Sequence, residues 1–132
     1  MQQWQLPKGG AGVASMTLHK DISIPTPSGS QMVVKMKALS LNYRDSFVAE
    51  TNFMPDTLDN VVPISDGSGE VTAVGPACTR FQVGDRVAFV LCPGNYEGDQ
   101  IEGTGLQPCI GGSRQGVAAE YVLAESGKEP GV

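Results

Sequence analysis

The clearest periodic signal in the chain lies between Gln31 and Leu41. Met32, Val34, Met36 and Ala38 fall on one face and Lys35 and Lys37 on the other, the period-two pattern of a half-buried strand. Shorter strand patterns run from Met1 to Leu6, stopped by Pro7-Lys8-Gly9-Gly10, and from Met16 to Ile24. The second is closed by Pro25-Thr26-Pro27-Ser28-Gly29-Ser30, where both proline rings fix φ and the small polar residues favour a turn. Further strands are expected at Gly69–Gly75, at Arg86–Leu91 after the turn Val83-Gly84-Asp85, and at Ala118–Ala124. Tyr43 to Ala49 reads as a short helix with Asn42 as its N-cap. Glu50 to Asn60 is loop-like and broken by Pro55. Pro93 to Gly116 is Gly-rich without periodicity and reads as a long surface excursion. The pattern predicts a mainly β domain over residues 1–125, a distorted closed barrel with one or two short helices, and a flexible tail over 126–132.

Composition narrows the class. With 132 residues the chain is long enough to bury a core without disulfide staples. Its 17 glycines and 9 prolines are scattered, which suits many short strands joined by turns. A formal net charge of −5 argues against a nucleic-acid backbone or an anionic membrane surface as the main partner. The first residues lack a basic stretch followed by an apolar run, and no segment approaches the ~20 apolar residues of a spanning helix. A cytoplasmic protein is expected. Cys78, Cys92 and Cys109 show no C-x-x-C spacing. Reduced thiols fit that compartment, and a Cys92–Cys109 bridge is the alternative that the sequence leaves open.

Two runs carry candidate chemistry: Ala38-Leu39-Ser40-Leu41-Asn42-Tyr43-Arg44-Asp45 and Val62-Pro63-Ile64-Ser65-Asp66-Gly67-Ser68-Gly69-Glu70-Val71. The glycine-rich strand through Gly75 is followed by Phe81-Gln82-Val83-Gly84-Asp85-Arg86-Val87. This order of landmarks resembles the N-terminal, GroES-like catalytic half of the medium-chain dehydrogenases and reductases, in the branch without zinc. The resemblance runs from about Gln3 to Leu123. Its glycines are structural: Gly67 and Gly69 permit close backbone packing, and Gly75 and Gly84 sit at turns. In zinc-dependent members a Cys follows the long strand and a His-Glu pair precedes the glycine-rich one. Asn42, Ser65 and Asp66 stand at those positions here, and neither an amide nor a hydroxyl is a useful zinc ligand. The family's second zinc needs four closely spaced Cys, and only Cys92 and Cys109 lie in that region. The resemblance therefore implies no metal.

It also implies that Asn42 and Tyr43 lie on the floor of a cleft, facing a nicotinamide ribose or a substrate. An amide and a phenol can both donate to a carbonyl that gains negative charge. Ser65 and Asp66 are further acid/base candidates, and Arg44 and Asp45 are expected to form an ion pair that fixes the turn. Each has a structural alternative: Asn42 caps the helix, Tyr43 packs, and Ser65 and Asp66 satisfy turn donors. Some relatives place a proton-donating Tyr a few residues further on, where this chain has Phe53. His19, beside Lys20 and Asp21, reads as solvated.

A dinucleotide fingerprint is missing from the sequence. Gly10-Ala11-Gly12 is followed by Ser15 where a third Gly belongs, Gly67-Ser68-Gly69 by Thr72, and Gly103-Thr104-Gly105 by Pro108. The chain is not expected to bind NAD(P)H by itself, and NADPH enters only if a partner supplies the binding domain. The surface left without that domain predicts a homodimer or a complex. The expected ligand is a small-molecule carbonyl or enone. Three functions follow: the catalytic half of an oxidoreductase, a cofactor-independent isomerase, cyclase or lyase built on the same cleft, or a non-catalytic binding module.

Overall fold

The structure, a computed structural model, describes residues 1–9, 12–51, 56–91 and 109–126. Over these residues the chain forms β1 (Gln3–Gln5), a 3-10 turn at Val13–Ser15, β2 (Thr17–His19), β3 (Gln31–Ser40), α1 (Tyr43–Glu50), β4 (Asp66–Val74), β5 (Arg86–Ala88) and β6 (Tyr121–Glu125). The expected mainly β domain with short helices is what forms. β1 and β2 make a two-stranded antiparallel sheet. The other strands make a four-stranded antiparallel sheet in the order β5-β4-β3-β6. No described helix is long and apolar enough to cross a membrane.

The β3–β4 ladder is the spine, running from Met32↔Val74 to Ser40↔Asp66. Met32, Val34 and Val71 are buried together, with Met36, Val74, Phe81, Val87, Phe89 and Ala124 packed around them. The inward face read from the sequence thus holds for Met32, Val34 and Met36. It fails at Ala38, which is exposed. Irregularities at Val33/Val34 and Met36/Ala38 change the pairing phase, and a bulge of this kind interrupts the alternation of faces. A second cluster of Leu6, Val48, Ala49 and Val61 joins the start of the chain to α1, with Met16 and Cys109 against it. Leu6 and Val61 exchange backbone hydrogen bonds of 2.9 and 3.0 Å.

β4 begins at Asp66, three residues before the strand expected from the sequence. Gly67 and Gly69 do not break it; they let it approach β3. A Cβ at Gly69 would lie 2.4 Å from the Lys35 carbonyl oxygen and 2.6 Å from Val34 Cγ1. β2 is shorter than expected because Asp21 turns the chain with φ of 62°, before the two prolines. β5 stops at Ala88, and β6 starts at Tyr121 because Ala118 turns to β1, accepting a 2.9 Å bond from the Trp4 N–H.

The end of the expected surface excursion is not at the surface. Ile110, Gly111, Gly112 and Gly116 are buried. The earlier part, residues 92–108, lies outside the described residues, as do 127–132 of the expected tail. Ser126 is buried, and its N–H donates to the Ser30 carbonyl at 3.1 Å. Cys109 is disulfide-bonded, which corrects the expectation of reduced thiols for this residue, whereas Cys78 is a free thiol. Cys92 is outside the described residues.

Gly69→Ala forces a methyl group into the Lys35 carbonyl. It is expected to destabilise the fold by about 1–3 kcal/mol or more, read as a lower urea midpoint. An unchanged midpoint would mean that the strands are not this close.

Candidate functional site

The candidate site is built where the β3–β4 ladder ends. Asp66 opens β4 opposite Ser40, the last residue of β3. Two residues further on, Asn42 takes an extended conformation (φ −124°, ψ 157°) at the N-cap of α1. Its N–H donates to Asp45 Oδ2 at 2.8 Å, while the Asp45 N–H donates to the Asn42 carbonyl at 3.0 Å. This closes the first turn in the manner of a capping box. The Asn42 side chain turns across to the ladder: Nδ2 donates to Asp66 Oδ2 at 2.9 Å and to the Ser40 carbonyl at 3.3 Å. Ser65 Oγ donates to the same Asp66 Oδ2 at 2.5 Å. Three of the four candidate residues thus form one cluster centred on Asp66.

Tyr43 stands apart from it. The residue is 83% exposed, its ring stacks on Phe47 with centroids 6.1 Å apart, and its hydroxyl has no protein partner among the described residues. The helical i, i+4 spacing explains the stacking. Leu39 and Leu41 are exposed nearby in sequence, so the approach to the cluster is partly apolar.

The expected Arg44–Asp45 ion pair does not form. Arg44 Nη1 instead donates to the Ile110 carbonyl at 3.1 Å. Asp45 spends Oδ2 on the helix cap, and its Oδ1 is buried without a hydrogen-bond partner. Adjacent helical residues point in different directions, which separates the two charges.

Sequence reading missed the residues that hold this site in place. Ser65 is buried at 1% exposure, at the end of a loop that residues 111–118 grip through the backbone. Gly116 N–H donates to the Val62 carbonyl at 2.6 Å, Ala118 N–H to Pro63 at 3.1 Å, and Val117 N–H to Ile64 at 2.9 Å. Gln115 Oε1 accepts the Val62 N–H at 2.6 Å. Ile64 sits at φ 69°, a left-handed conformation that costs a β-branched residue roughly 1–3 kcal/mol. The loop fits only because its neighbours lack side chains. A Cβ at Gly116 would lie 2.3–2.4 Å from the carbonyl oxygens of Pro63, Ile64 and Val62, and one at Gly111 would lie 2.9–3.0 Å from the Ile64 backbone. The available signal was the mixture of glycine and apolar residues in Ile110-Gly111-Gly112 and Gly116-Val117-Ala118, unusual for a solvated loop.

Among the described residues, the Asp66 cluster does not fit a zinc ion, and the start of α1 is not built to hold a pyrophosphate. Asn42 and Ser65 turn N–H and O–H protons toward Asp66, so the cluster presents one anionic oxygen-donor side chain, a set unlike a zinc site. Among the described residues no three His, Cys, Asp or Glu side chains come together. The strand-to-helix connection from β3 into α1 carries no glycine, and the first turn of α1 carries Asp45, whose charge opposes a pyrophosphate. What the cluster offers is proton chemistry: a carboxylate held through one oxygen, with Oδ1 of Asp66 accepting no protein hydrogen bond among the described residues.

Asn42→Ala and Ser65→Ala are each expected to cost about 1 kcal/mol of stability, the usual net value of one hydrogen bond. In an Asp66→Ala background the Asn42→Ala change is expected to cost less than about 0.5 kcal/mol, because its main partner is gone. Equal costs in both backgrounds, measured by urea unfolding, would show that Asn42 and Asp66 do not interact. Gly116→Ala is expected to displace the Val62–Ile64 loop and destabilise the fold by about 3 kcal/mol. A wild-type urea midpoint would contradict the grip described above.

Residues 28–128 match the family described as the alcohol dehydrogenase GroES-like domain. An alcohol dehydrogenase of Moraxella sp. (strain TAE123) is 32% identical over 117 residues, covering 81% of this chain and 33% of its own length. The trans-enoyl reductase grgB of a Penicillium species is 29% identical over 116 residues, covering 88% of this chain and 28% of its own. The crystal structure of a quinone oxidoreductase from Pseudomonas syringae pv. tomato DC3000 superposes with a TM-score of 0.66 at 27% identity, covering 94% of this chain and 31% of that one. The chain therefore spans about a third, or less, of the length of these relatives. Strand order, the glycine-rich β4 and the match over residues 28–128 lead to one conclusion: this chain belongs to the alcohol dehydrogenase GroES-like domain family of the medium-chain dehydrogenases and reductases.

Proposed function

We propose that this chain is the substrate side of a zinc-independent oxidoreductase. It binds a small carbonyl or enone compound and polarises the oxygen, with NADPH held by a partner unit. The observation that carries this reading is the Asp66 carboxylate, fixed by Asn42 and Ser65 at the end of the β3–β4 ladder. A nicotinamide, when bound by such a partner, supplies the hydride. In this chain Tyr43 has the free donor that suits a substrate oxygen gaining negative charge. Asn42 has its amide protons engaged by Asp66 and Ser40, so it acts as a positioning residue for the carboxylate. Asp66 exchanges a proton with the substrate through Oδ1. The relatives named trans-enoyl reductase and quinone oxidoreductase support conjugated carbonyl compounds as the substrate class. The exposed Leu39, Leu41 and Tyr43 supply the surface for the partner unit, as a homodimer or a complex.

The same carboxylate favours a second reading, cofactor-independent isomerisation. Asp66 would take a proton from carbon next to the carbonyl and return it at another carbon, while Tyr43 steadies the enolate oxygen. No electrons leave the substrate in that sequence, so nothing outside the chain is required.

Titration with 2-cyclohexen-1-one, followed by amide NMR shifts, tests both. Saturable binding with shifts around Tyr43 and Asp66 is expected. Tyr43→Phe is expected to weaken binding roughly fivefold, about 1 kcal/mol for one lost hydrogen bond. Binding that Tyr43→Phe leaves untouched would overturn the assigned role. Deuterium uptake into the enone from D2O, without cofactor and lost in Asp66→Asn, would select the isomerase reading.

A further inference from the structure

The four-stranded sheet has two edges, β5 and β6, and brings them to opposite sides of one cleft of about 340 Å³. That volume is within the range of small-molecule sites, roughly 300–1,000 Å³. Met32, Phe81, Val87 and Leu123 line it, and the first three belong to the main core cluster, so the cleft opens directly onto the apolar interior. It is separate from the Asp66 cluster. Met32 pairs with Val74 at one end of the β3–β4 ladder, and Ser40 pairs with Asp66 at the other.

Among the described residues, three charged side chains line this cleft: Arg80, Arg114 and Glu125. Glu125 is already engaged, with Gln31 Nε2 donating to Oε1 at 2.9 Å and Ser30 Oγ to Oε2 at 3.3 Å. The arginines are not. The Arg80 guanidinium lies over the Phe81 ring, 5.3 Å from its centroid, and among the described residues neither guanidinium has a hydrogen-bond or ion-pair partner. Two unpaired guanidinium groups beside an apolar floor are complementary to a molecule with an apolar body and an anionic end. A planar fork of donors suits a carboxylate best.

We propose that this cleft binds a medium-chain carboxylate, its chain against Met32, Phe81, Val87 and Leu123 and its head group on Arg80 and Arg114. The site would work beside the Asp66 cluster without taking part in its proton chemistry. Because the cleft lies between two free strand edges, closure by a second copy of the chain is the competing occupant.

The test compares three probes with the same ten-carbon chain and different heads: decanoate, decanol and decyltrimethylammonium, titrated calorimetrically below their aggregation concentrations. Decanoate is expected to saturate at least tenfold more tightly than decanol, and decyltrimethylammonium to bind more weakly than decanol. Arg80→Met and Arg114→Met, checked for an unchanged thermal midpoint, are each expected to weaken decanoate at least fivefold while leaving decanol within twofold. Glu125→Gln is expected to leave decanoate binding equal or tighter. Equal affinity for decanoate and decanol, or indifference to both arginine substitutions, would overturn the proposal. So would a dimer in sedimentation that does not take up decanoate.

Discussion

Three successive carbonyl groups, those of Val62, Pro63 and Ile64, face the α-carbon of Gly116 at distances that no side chain fits. The rest of the site depends on this approach. It allows three backbone hydrogen bonds from Gly116, Val117 and Ala118 to reach the loop, and these hold Ile64 in a conformation that it would otherwise avoid. With Ile64 held there, Ser65 is buried and Asp66 begins β4 opposite Ser40. That register brings Asn42, at the start of α1, within 2.9 Å of the Asp66 carboxylate. A single missing methyl group thus governs the position of an acid that sits fifty residues earlier in the chain.

The candidate groups divide into held and free, with Tyr43 standing apart from the Asp66 cluster. Asn42 and Ser65 are committed to one carboxylate oxygen, and Asp45 is committed to the helix cap. Oδ1 of Asp66 and the phenol of Tyr43 remain available. A carboxylate held in this way needs little rearrangement when a substrate arrives, which is where positioning and electrostatic stabilisation gain their advantage over solution. On the proposed function, the Asp66 carboxylate serves as a proton site whether or not a hydride donor is near. The second cleft, between β5 and β6, draws on different physics. There the apolar interior is left open at the sheet edges, and on our proposal two arginines without a partner among the described residues set the charge of what can enter.

Much of the architecture was legible in local patterns. The alternation in β3, the helix start at Asn42 and the Gly-Asp-Arg-Val strand each depend on neighbours in sequence, and each was found. What failed was non-local. Gly67 and Gly69 were expected to permit close backbone packing, but that their partner is β3, 2.4 Å from a would-be Cβ at Gly69, emerges only from the ladder. Residues 109–116 read as a surface loop because their partners, Val62 to Ile64, lie more than forty residues away. The Arg44–Asp45 pair was inferred from adjacency, but consecutive helical side chains diverge, and Arg44 found the Ile110 carbonyl instead. The bulges that expose Ala38 left no trace in composition. Asn42, Ser65 and Asp66 were legible as candidates, while their convergence on one carboxylate oxygen became visible only with the register.

What we propose for this chain is the substrate side of the chemistry, with the nicotinamide held by a partner unit. Titration of the purified chain with NADPH, followed by heat and by Trp4 fluorescence, tests it most directly. The account predicts no saturable binding up to millimolar cofactor. Saturable binding below about 100 μM, a free energy of about −5.5 kcal/mol, would contradict it.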